Sequence, residues 1–326
     1  MLPVITFSPA YTVVPTYECF NACTYCNFRV KPGTDEWLSL AQAESELQRL
    51  RLLSQESSFT EHGVIEILVL SGEVHPHHPK RLAWFQRVYD LCDLALRLGF
   101  LPHTNVGPLR FEEMAALRHV NVSMGLMVEQ VTPRLLQTVH KHAPSKIPEA
   151  RLQQLEWAGM LKIPFTTGLL LGIGETEADW QDTLRAIAQI QSRWGHIQEV
   201  ILQPHSPGQS QANQGSPFPA QKLADVVAIA REILPDEITL QIPPNLISDP
   251  SSLLQCLAAG ARDLGGIGPI DEVNPDYPHR YHEAIATVIR DAGWQLVPRL
   301  PIYPQYDKWL PPHLQEATRH WRDRLS

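Results

Sequence analysis

Short, β-rich apolar runs alternate along this chain with stretches whose apolar positions recur at helical spacing. Eight runs are predicted strands: about 12–18, 64–70, 101–105, 120–126, 164–171, 197–203, 237–242 and 263–267. The second, Val64-Ile65-Glu66-Ile67-Leu68-Val69-Leu70, is nearly continuous in apolar residues, as in parallel strands covered on both faces. The segments between them read as helices. In 39–54, Ala43, Leu47 and Leu50 share a stripe, and Ser39 with Gln42 makes a capping-box start. Leu152, Leu155 and Ala158 do the same in 148–160. In 176–193, Thr176 with Asp179 caps a stripe of Leu184, Ile187, Ala188 and Gln191. Alternating strand and helix implies parallel pairing through right-handed crossovers. Eight units fit an α/β fold of the (β/α)8 TIM type, with the barrel over about 10–293 and a Pro-, Tyr- and Trp-rich C-terminal cap over about 294–326, all in one domain. An incomplete six-strand barrel with extra C-terminal structure is the alternative. The longest loop signal, 204–219, follows the sixth strand, where a lid or substrate contact is expected.

Composition narrows the function classes. The 326 residues are 44% hydrophobic, ample for a large core, and the net charge is −8 with no basic patch, which disfavours nucleic-acid binding. No apolar run approaches the ~20 residues that span a bilayer, and the start shows no secretion signal. The five cysteines are an odd number with three clustered, so a reducing, cytoplasmic setting is expected rather than a disulfide framework.

Those three, Cys19, Cys23 and Cys26, have the spacing C-x3-C-x2-C, and no fourth follows nearby. An electron-transfer iron–sulfur cluster is usually closed by four cysteines. Three thiolates leave one iron open to a substrate or cofactor, much as catalytic zinc sites keep an open position. A zinc site completed by a distant ligand is the competing reading, but only one C-x2-C unit is present. With Tyr25 before the third cysteine, the run resembles the signature of the radical S-adenosylmethionine (SAM) enzymes. Ser71-Gly72-Glu73, after the second strand, resembles that family's Gly-Gly-Glu motif, with Ser71 for the first glycine. Gly168-Leu-Leu-Leu-Gly172-Ile-Gly-Glu175 resembles its Gly-x-Ile-x-Gly-x-x-Glu motif beside the adenine. The resemblance implies one 4Fe-4S cluster on the three cysteines and S-adenosyl-L-methionine on the open iron. It implies cofactor contacts at Tyr25, Ser71, Gly72, Glu73, Gly168 and Gly172, with Ser123 and Glu129 toward the ribose and methionine. One-electron cleavage would then give a 5'-deoxyadenosyl radical that abstracts hydrogen.

The resemblance narrows further. Val14–Arg29, His103-Thr-Asn105, Ser123–Met127, Lys141–Lys146, Lys162–Gly168, Gln198–Gln203, Gln241–Asn245 and Asp263–Gly266 are similar to the radical subunit (CofG type) of the 7,8-didemethyl-8-hydroxy-5-deazariboflavin (FO) synthases. This implies a carbon–nitrogen lyase and cyclase that makes FO from 5-amino-5-(4-hydroxybenzyl)-6-(D-ribitylimino)-5,6-dihydrouracil with loss of ammonia. A partner radical SAM subunit would deliver the substrate, and ferredoxin or flavodoxin the electron. Such a substrate wants amide and hydroxyl partners, and His103, Asn105, Gln203, Gln241 and Asn245 fall near predicted strand ends as candidate contacts. After Gln203 the chain departs from that pattern with Pro204-His205-Ser206-Pro207. The alternatives are a radical enzyme acting on another aromatic or menaquinone-pathway substrate, and a non-catalytic iron–sulfur carrier. His75-Pro76-His77-His78 could bind a divalent ion, but the proline prevents a regular face. Cys92 and Cys256 fall in apolar helical patterns and read as buried thiols. No P-loop, Rossmann fingerprint or G-x-S-x-G elbow is present.

Overall fold

Nine parallel strands in order β2-β3-β4-β5-β6-β7-β8-β1-β9, with β1 also paired to β2, close an eight-stranded barrel and leave β9 outside the ring. The computed structural model describes residues 3–56, 63–211, 215–247, 249–278 and 282–325. The strands are β1 (Val4–Val13), β2 (Glu66–Leu70), β3 (Leu101–Asn105), β4 (Ser123–Gly125), β5 (Phe165–Leu171), β6 (Ile197–Pro204), β7 (Thr239–Gln241), β8 (Asp263–Ile267) and β9 (Gln295–Pro298). Helices α1 (Leu40–Glu56), α2 (Arg81–Arg97), α3 (Phe111–Leu117), α4 (Pro148–Met160), α5 (Glu177–Trp194), α6 (Ala220–Ile233), α7 (Pro250–Ala259) and α8 (His282–Asp291) follow strands in turn, and α9 (Pro312–Leu325) ends the chain. Both predicted helix starts are present. Gln42 accepts from the Ser39 backbone (3.0 Å), and Asp179 accepts from the Thr176 backbone and hydroxyl (both 2.7 Å).

The helices bury one stripe each against the outside of the barrel. Leu47 of α1, Trp84 and Val88 of α2, Leu155 of α4, Leu184 and Ile187 of α5, and Leu223 and Val227 of α6 are fully covered. Cys92 and Cys256 are buried thiols in α2 and α7, as expected. No described helix is long and apolar enough to cross a membrane.

Two expectations are corrected. The first strand is Val4–Val13, not 12–18, so the cysteines follow it after an extended connection. Second, the C-terminal stretch does more than cap, because it adds β9 to the sheet. The carbonyls of Phe7 and Pro9 lie on one edge of β1 and accept from Arg299 and Ile65 respectively. That edge is therefore shared, with β9 along its lower half and β2 along its upper half. Beyond β9, Leu300, Ile302, Tyr306, Leu310, Leu314 and Trp321 cluster with Ile65, Leu101 and Val122 at the beginnings of β2, β3 and β4, sealing the barrel bottom.

Candidate active site

The three cysteines line the mouth of a cavity of about 360 Å³ inside the barrel. Their loop is tied down by backbone bonds: Phe20 N–H to Glu73, Ala22 to His142, Thr24 to Val139 and Cys19 to Val30 (2.6–3.3 Å). The Cys19 sulfur accepts from the Glu73 backbone N–H (3.4 Å) and the Asn21 amide (3.8 Å). Burial raises the Cys19 thiol and pushes Cys23 up to about 12. These sulfurs are therefore protonated unless a cation draws off the proton. The loop must pass very close to the turn after β2. A Cβ on Gly72 would lie 2.1 Å from the Glu18 carbonyl, so only glycine fits. Ser71 has its own task, since its hydroxyl accepts from Trp84 Nε1 (3.0 Å) and contacts the Gly72 carbonyl (2.9 Å).

Beside the thiols, two carboxylates and two cations interlock. Glu73 accepts from Arg151 (2.6 Å), Asn21 (2.8 Å) and Ser145. Glu129 accepts from Lys146 and the Tyr25 hydroxyl, with His140 Nε2 at 3.2 Å. Lys146 also approaches Glu73 at 3.9 Å, and Arg151 donates to the Met127 carbonyl (2.8 Å). Burial would raise Glu73, but Arg151 and Lys146 outweigh it and hold the carboxyl below its ordinary value. Glu129 is lowered further, against the same burial, chiefly by Lys146. Both acids are therefore ionised at neutral pH. Glu129 has φ +66°, unusual for a residue with a side chain. Its backbone N–H donates to Gly168 (2.9 Å).

Deeper in, the lining turns to Asn105, Gln203, Gln241 and Asn245, then to a floor of His103, Glu66, Glu199 and Arg299. Arg299, from the segment after β9, reaches up from below. It donates to Asp263 through Nε (2.6 Å) and one Nη (2.8 Å), and to Glu199. Glu199 also accepts from Tyr303 (2.9 Å) and Thr166 (3.1 Å). Burial raises Glu199 and Glu66, even against the pull of Arg299.

The predicted site residues divide accordingly. Tyr25, Ser71, Gly72, Glu73, Glu129, His103, Asn105, Gln203, Gln241 and Asn245 all line the cavity with the three cysteines. Ser123, expected near the ribose, lies instead at the first residue of β4, fully buried away from the lining, bonded to His103 and to the Pro301 carbonyl. Gly168 makes room for packing, since a Cβ there would lie 2.4 Å from the Ile201 carbonyl and 2.8 Å from Met127 Sδ. At Gly172 φ is +91°, and Glu175 accepts from its N–H (2.6 Å) and that of Ile173 (2.8 Å), fixing the turn after β5. Asn245 donates to Asp271 (2.8 Å) and the Tyr277 carbonyl (2.9 Å), and its buried Oδ1 has no partner among the described residues. His205 is held by Gln211 (3.2 Å). In the histidine tract, His75 and His78 accept from the backbone N–H groups of His77 and Lys80 (both 3.1 Å) and so serve the turn. Of the expected lid, residues 212–214 lie outside the described residues. The part before them meets the cluster loop, where Asp276 accepts from Asn27 (3.1 Å) and Gln209 N–H (2.9 Å). Lys146, Arg151, His140, Arg299, Glu199 and Glu66 were not singled out from the sequence.

A parallel barrel with three thiols and a carboxylate–cation network at its mouth defines a class. The model of the radical SAM superfamily matches residues 13–187, more than half of the chain, which belongs to that superfamily. The solved structures of the FeFe-hydrogenase maturase HydG from Carboxydothermus hydrogenoformans (TM-score 0.70, 15% identity, 99% of this chain and 82% of that one) and of methylornithine synthase PylB (0.67, 14%, 94% and 86%) share the fold. Relatives from Trichormus variabilis (62% identical over 320 residues, 98% of this chain and 92% of theirs) and Trichodesmium erythraeum (60% over 326 residues, 100% and 99%) are both named 7,8-didemethyl-8-hydroxy-5-deazariboflavin synthase. Within the superfamily, the chain belongs with these synthases.

The superfamily implies a 4Fe-4S cluster and S-adenosylmethionine. The residues present fit both. Among the described residues no group of three or more His, Cys, Asp or Glu side chains is placed to hold a metal ion. A cluster differs from a lone ion because it brings its own bridging sulfides to the thiols. Two N–H donors already point at the Cys19 sulfur, the type of contact that tunes a cluster.

Proposed function

We propose that this chain is the radical subunit that closes the deazaflavin ring, a carbon–nitrogen lyase forming FO from 5-amino-5-(4-hydroxybenzyl)-6-(D-ribitylimino)-5,6-dihydrouracil with loss of ammonia. The observation that carries the reading is identity of about 60% with the named synthases along nearly the whole chain. The cavity supports it. Cys19, Cys23 and Cys26 would hold one 4Fe-4S cluster, and Glu73, Glu129, Lys146 and Arg151 supply both charges that an amino-acid end group needs. When bound, cluster and SAM supply an electron and a radical able to abstract an unactivated hydrogen.

The chain's own work is to bind, orient and exclude water. Tyr25 presents a half-buried ring beside Leu170, Leu135 and Ile173, a suitable surface for a nucleobase. Asn105, Gln203, Gln241 and Asn245 supply amides able to pair with both donors and acceptors of a pyrimidinedione. The stitch between Asn27 and Asp276 joins the cluster loop to the segment after β8 at the rim of the cavity, where it would help to keep water from a reactive intermediate. A partner radical SAM subunit delivers the substrate, and ferredoxin or flavodoxin delivers the electron.

The test is anaerobic reconstitution with iron and sulfide, dithionite reduction and addition of SAM. Formation of 5'-deoxyadenosine is expected. Supplying the partner subunit, tyrosine and 5-amino-6-ribitylaminouracil should then yield a fluorescent deazaflavin. Cofactor cleavage without fluorescence would reject the substrate, and a loaded cluster without cleavage would reject the radical chemistry.

A further inference from the structure

The cavity floor holds a polar atom that neither the thiols nor the mouth network uses. His103 is only 8% exposed and lines the cavity. Its Nδ1 lies 2.7 Å from the Ser123 hydroxyl. That hydroxyl has one hydrogen, donated to the Pro301 carbonyl at 2.5 Å. Toward His103 it can therefore only accept, so Nδ1 carries the ring proton and Nε2 is a bare acceptor. Nε2 has no hydrogen-bond partner among the described residues. On β4 it faces Gly125, where a Cβ would lie 3.0 Å from it.

The surroundings decide what can approach. Arg299, the cation of the floor, is engaged at all three nitrogens: Nε and one Nη serve Asp263 and Glu199, and the other Nη donates to the Leu300 carbonyl (3.0 Å). Glu66 stands one inward position below His103 on the neighbouring strand, also on the lining and, among the described residues, paired with no cation at salt-bridge distance. An anionic group would meet carboxyl groups and a lone pair here. A cation would have to enter a site where burial and Arg299 already depress the His103 imidazole to about 3. What remains is a neutral donor, and since the amides of Asn105, Gln203, Gln241 and Asn245 already suit the N–H and C=O groups of a pyrimidinedione, the donor left for the floor is an O–H.

We infer that the barrel floor is a subsite for an uncharged, hydroxyl-bearing end of the substrate, with His103 Nε2 as its fixed acceptor and Ser123 and Pro301 as the groups that set the polarity of the ring. The inference rests on the ring-closing reading for the substrate, whose polyol chain and phenol are the two sources of such a hydroxyl. Ser123 is a positioning residue. It touches no ligand and acts through the imidazole.

The test does not need turnover. Cluster-loaded protein is titrated calorimetrically with ribitol, which has the polyol alone, and with 4-methylphenol, which has the phenol alone. One probe should bind to wild type and weaken tenfold or more in His103→Leu, equivalent to about 1.4 kcal/mol. That probe names the source. His103→Gln, which keeps an acceptor, should recover part of the loss. Ser123→Ala should weaken the same probe severalfold. In ¹⁵N-histidine-labelled protein, Ser123→Ala should also shift one imidazole from a fixed Nδ1–H tautomer toward a mixture, which a purely structural serine would not do. Neither probe binding to wild type, or equal binding by all four proteins, overturns the inference. Absence of deazaflavin from wild type, read separately by fluorescence, counts against the ring-closing reading.

Discussion

Replacing Arg299 with methionine removes the cation that three chain segments share. Methionine keeps much of the stem volume, so the effect isolates charge and hydrogen bonding. The arginine side chain is 10% exposed, Asp263 is wholly buried and the Glu199 side chain is 4% exposed. Without Arg299 the Asp263 carboxylate stays in the barrel uncompensated, and Glu199, already raised by burial, must take up a proton. Breaking a buried ion pair from one side costs about 3–5 kcal/mol, because the remaining charge is stranded. At this chain length each kcal/mol moves the melting midpoint by roughly 2 °C, so a fall of about 6–10 °C is expected. Thermal denaturation by circular dichroism at neutral pH measures it. Adding Asp263→Asn and Glu199→Gln should restore most of the loss, since the desolvated charges are then gone. A fall below about 1 kcal/mol, or a triple variant no better than the single one, would refute the charge argument.

Three further outcomes are expected. Gly107→Ala places a Cβ 2.4 Å from Glu73 Cγ at φ +83°; the carboxylate should swing away from Arg151, and SAM affinity measured by equilibrium dialysis should drop tenfold or more with the cluster absorbance intact, so an unchanged affinity contradicts the placement of Glu73. Asp276→Ala frees Asn27 and Gln209 at the surface; stability should stay within about 0.5 kcal/mol, while bleaching of the cluster in air accelerates severalfold, and an unaltered bleaching rate argues against a closed mouth. Glu66→Gln tests the floor by pH. Burial raises the Glu66 carboxyl, so its protonation stabilises the fold at low pH, and that contribution is lost as pH climbs through the folded-state value. Wild type and variant should melt together near pH 5, with the variant melting higher near pH 8; a gap independent of pH would show that Glu66 does not titrate there.

Seven of the barrel strands were legible because each is an apolar run bounded by turn residues. β1 was not, and Pro9 explains why. A proline inside a strand normally argues against it. Here it sits between the end of the β9 ladder, Phe7 opposite Pro298, and the start of the β2 ladder, Ala10 opposite Glu66, where no N–H is called for. β9 itself is four residues ending in proline, too short to show a period. At the site, the motif residues on loops were legible because spacing carried them. The charged partners were not, although signals existed. Arg151 lies on the same stripe as Leu155 and Ala158, at i, i+4 and i+7, and a guanidinium on a buried stripe needs a buried partner. Glu66 sits inside an otherwise apolar strand. Ser123 illustrates the opposite limit. Its contacts come from Pro301, 178 residues away, and no local pattern announces them.

The lower edge of β1 waits for residues made long after it. Val4 pairs with Gln295, a separation of about 290 residues, or roughly 15–60 s of translation. Through that interval the nascent barrel has an open strand edge, the kind that recruits foreign strands, and Glu199 and Asp263 have no counter-ion. The floor is therefore completed long after the strands that line it. A substitution that weakens β9 or the segment carrying Arg299 would therefore act at the moment when the cavity floor is being closed.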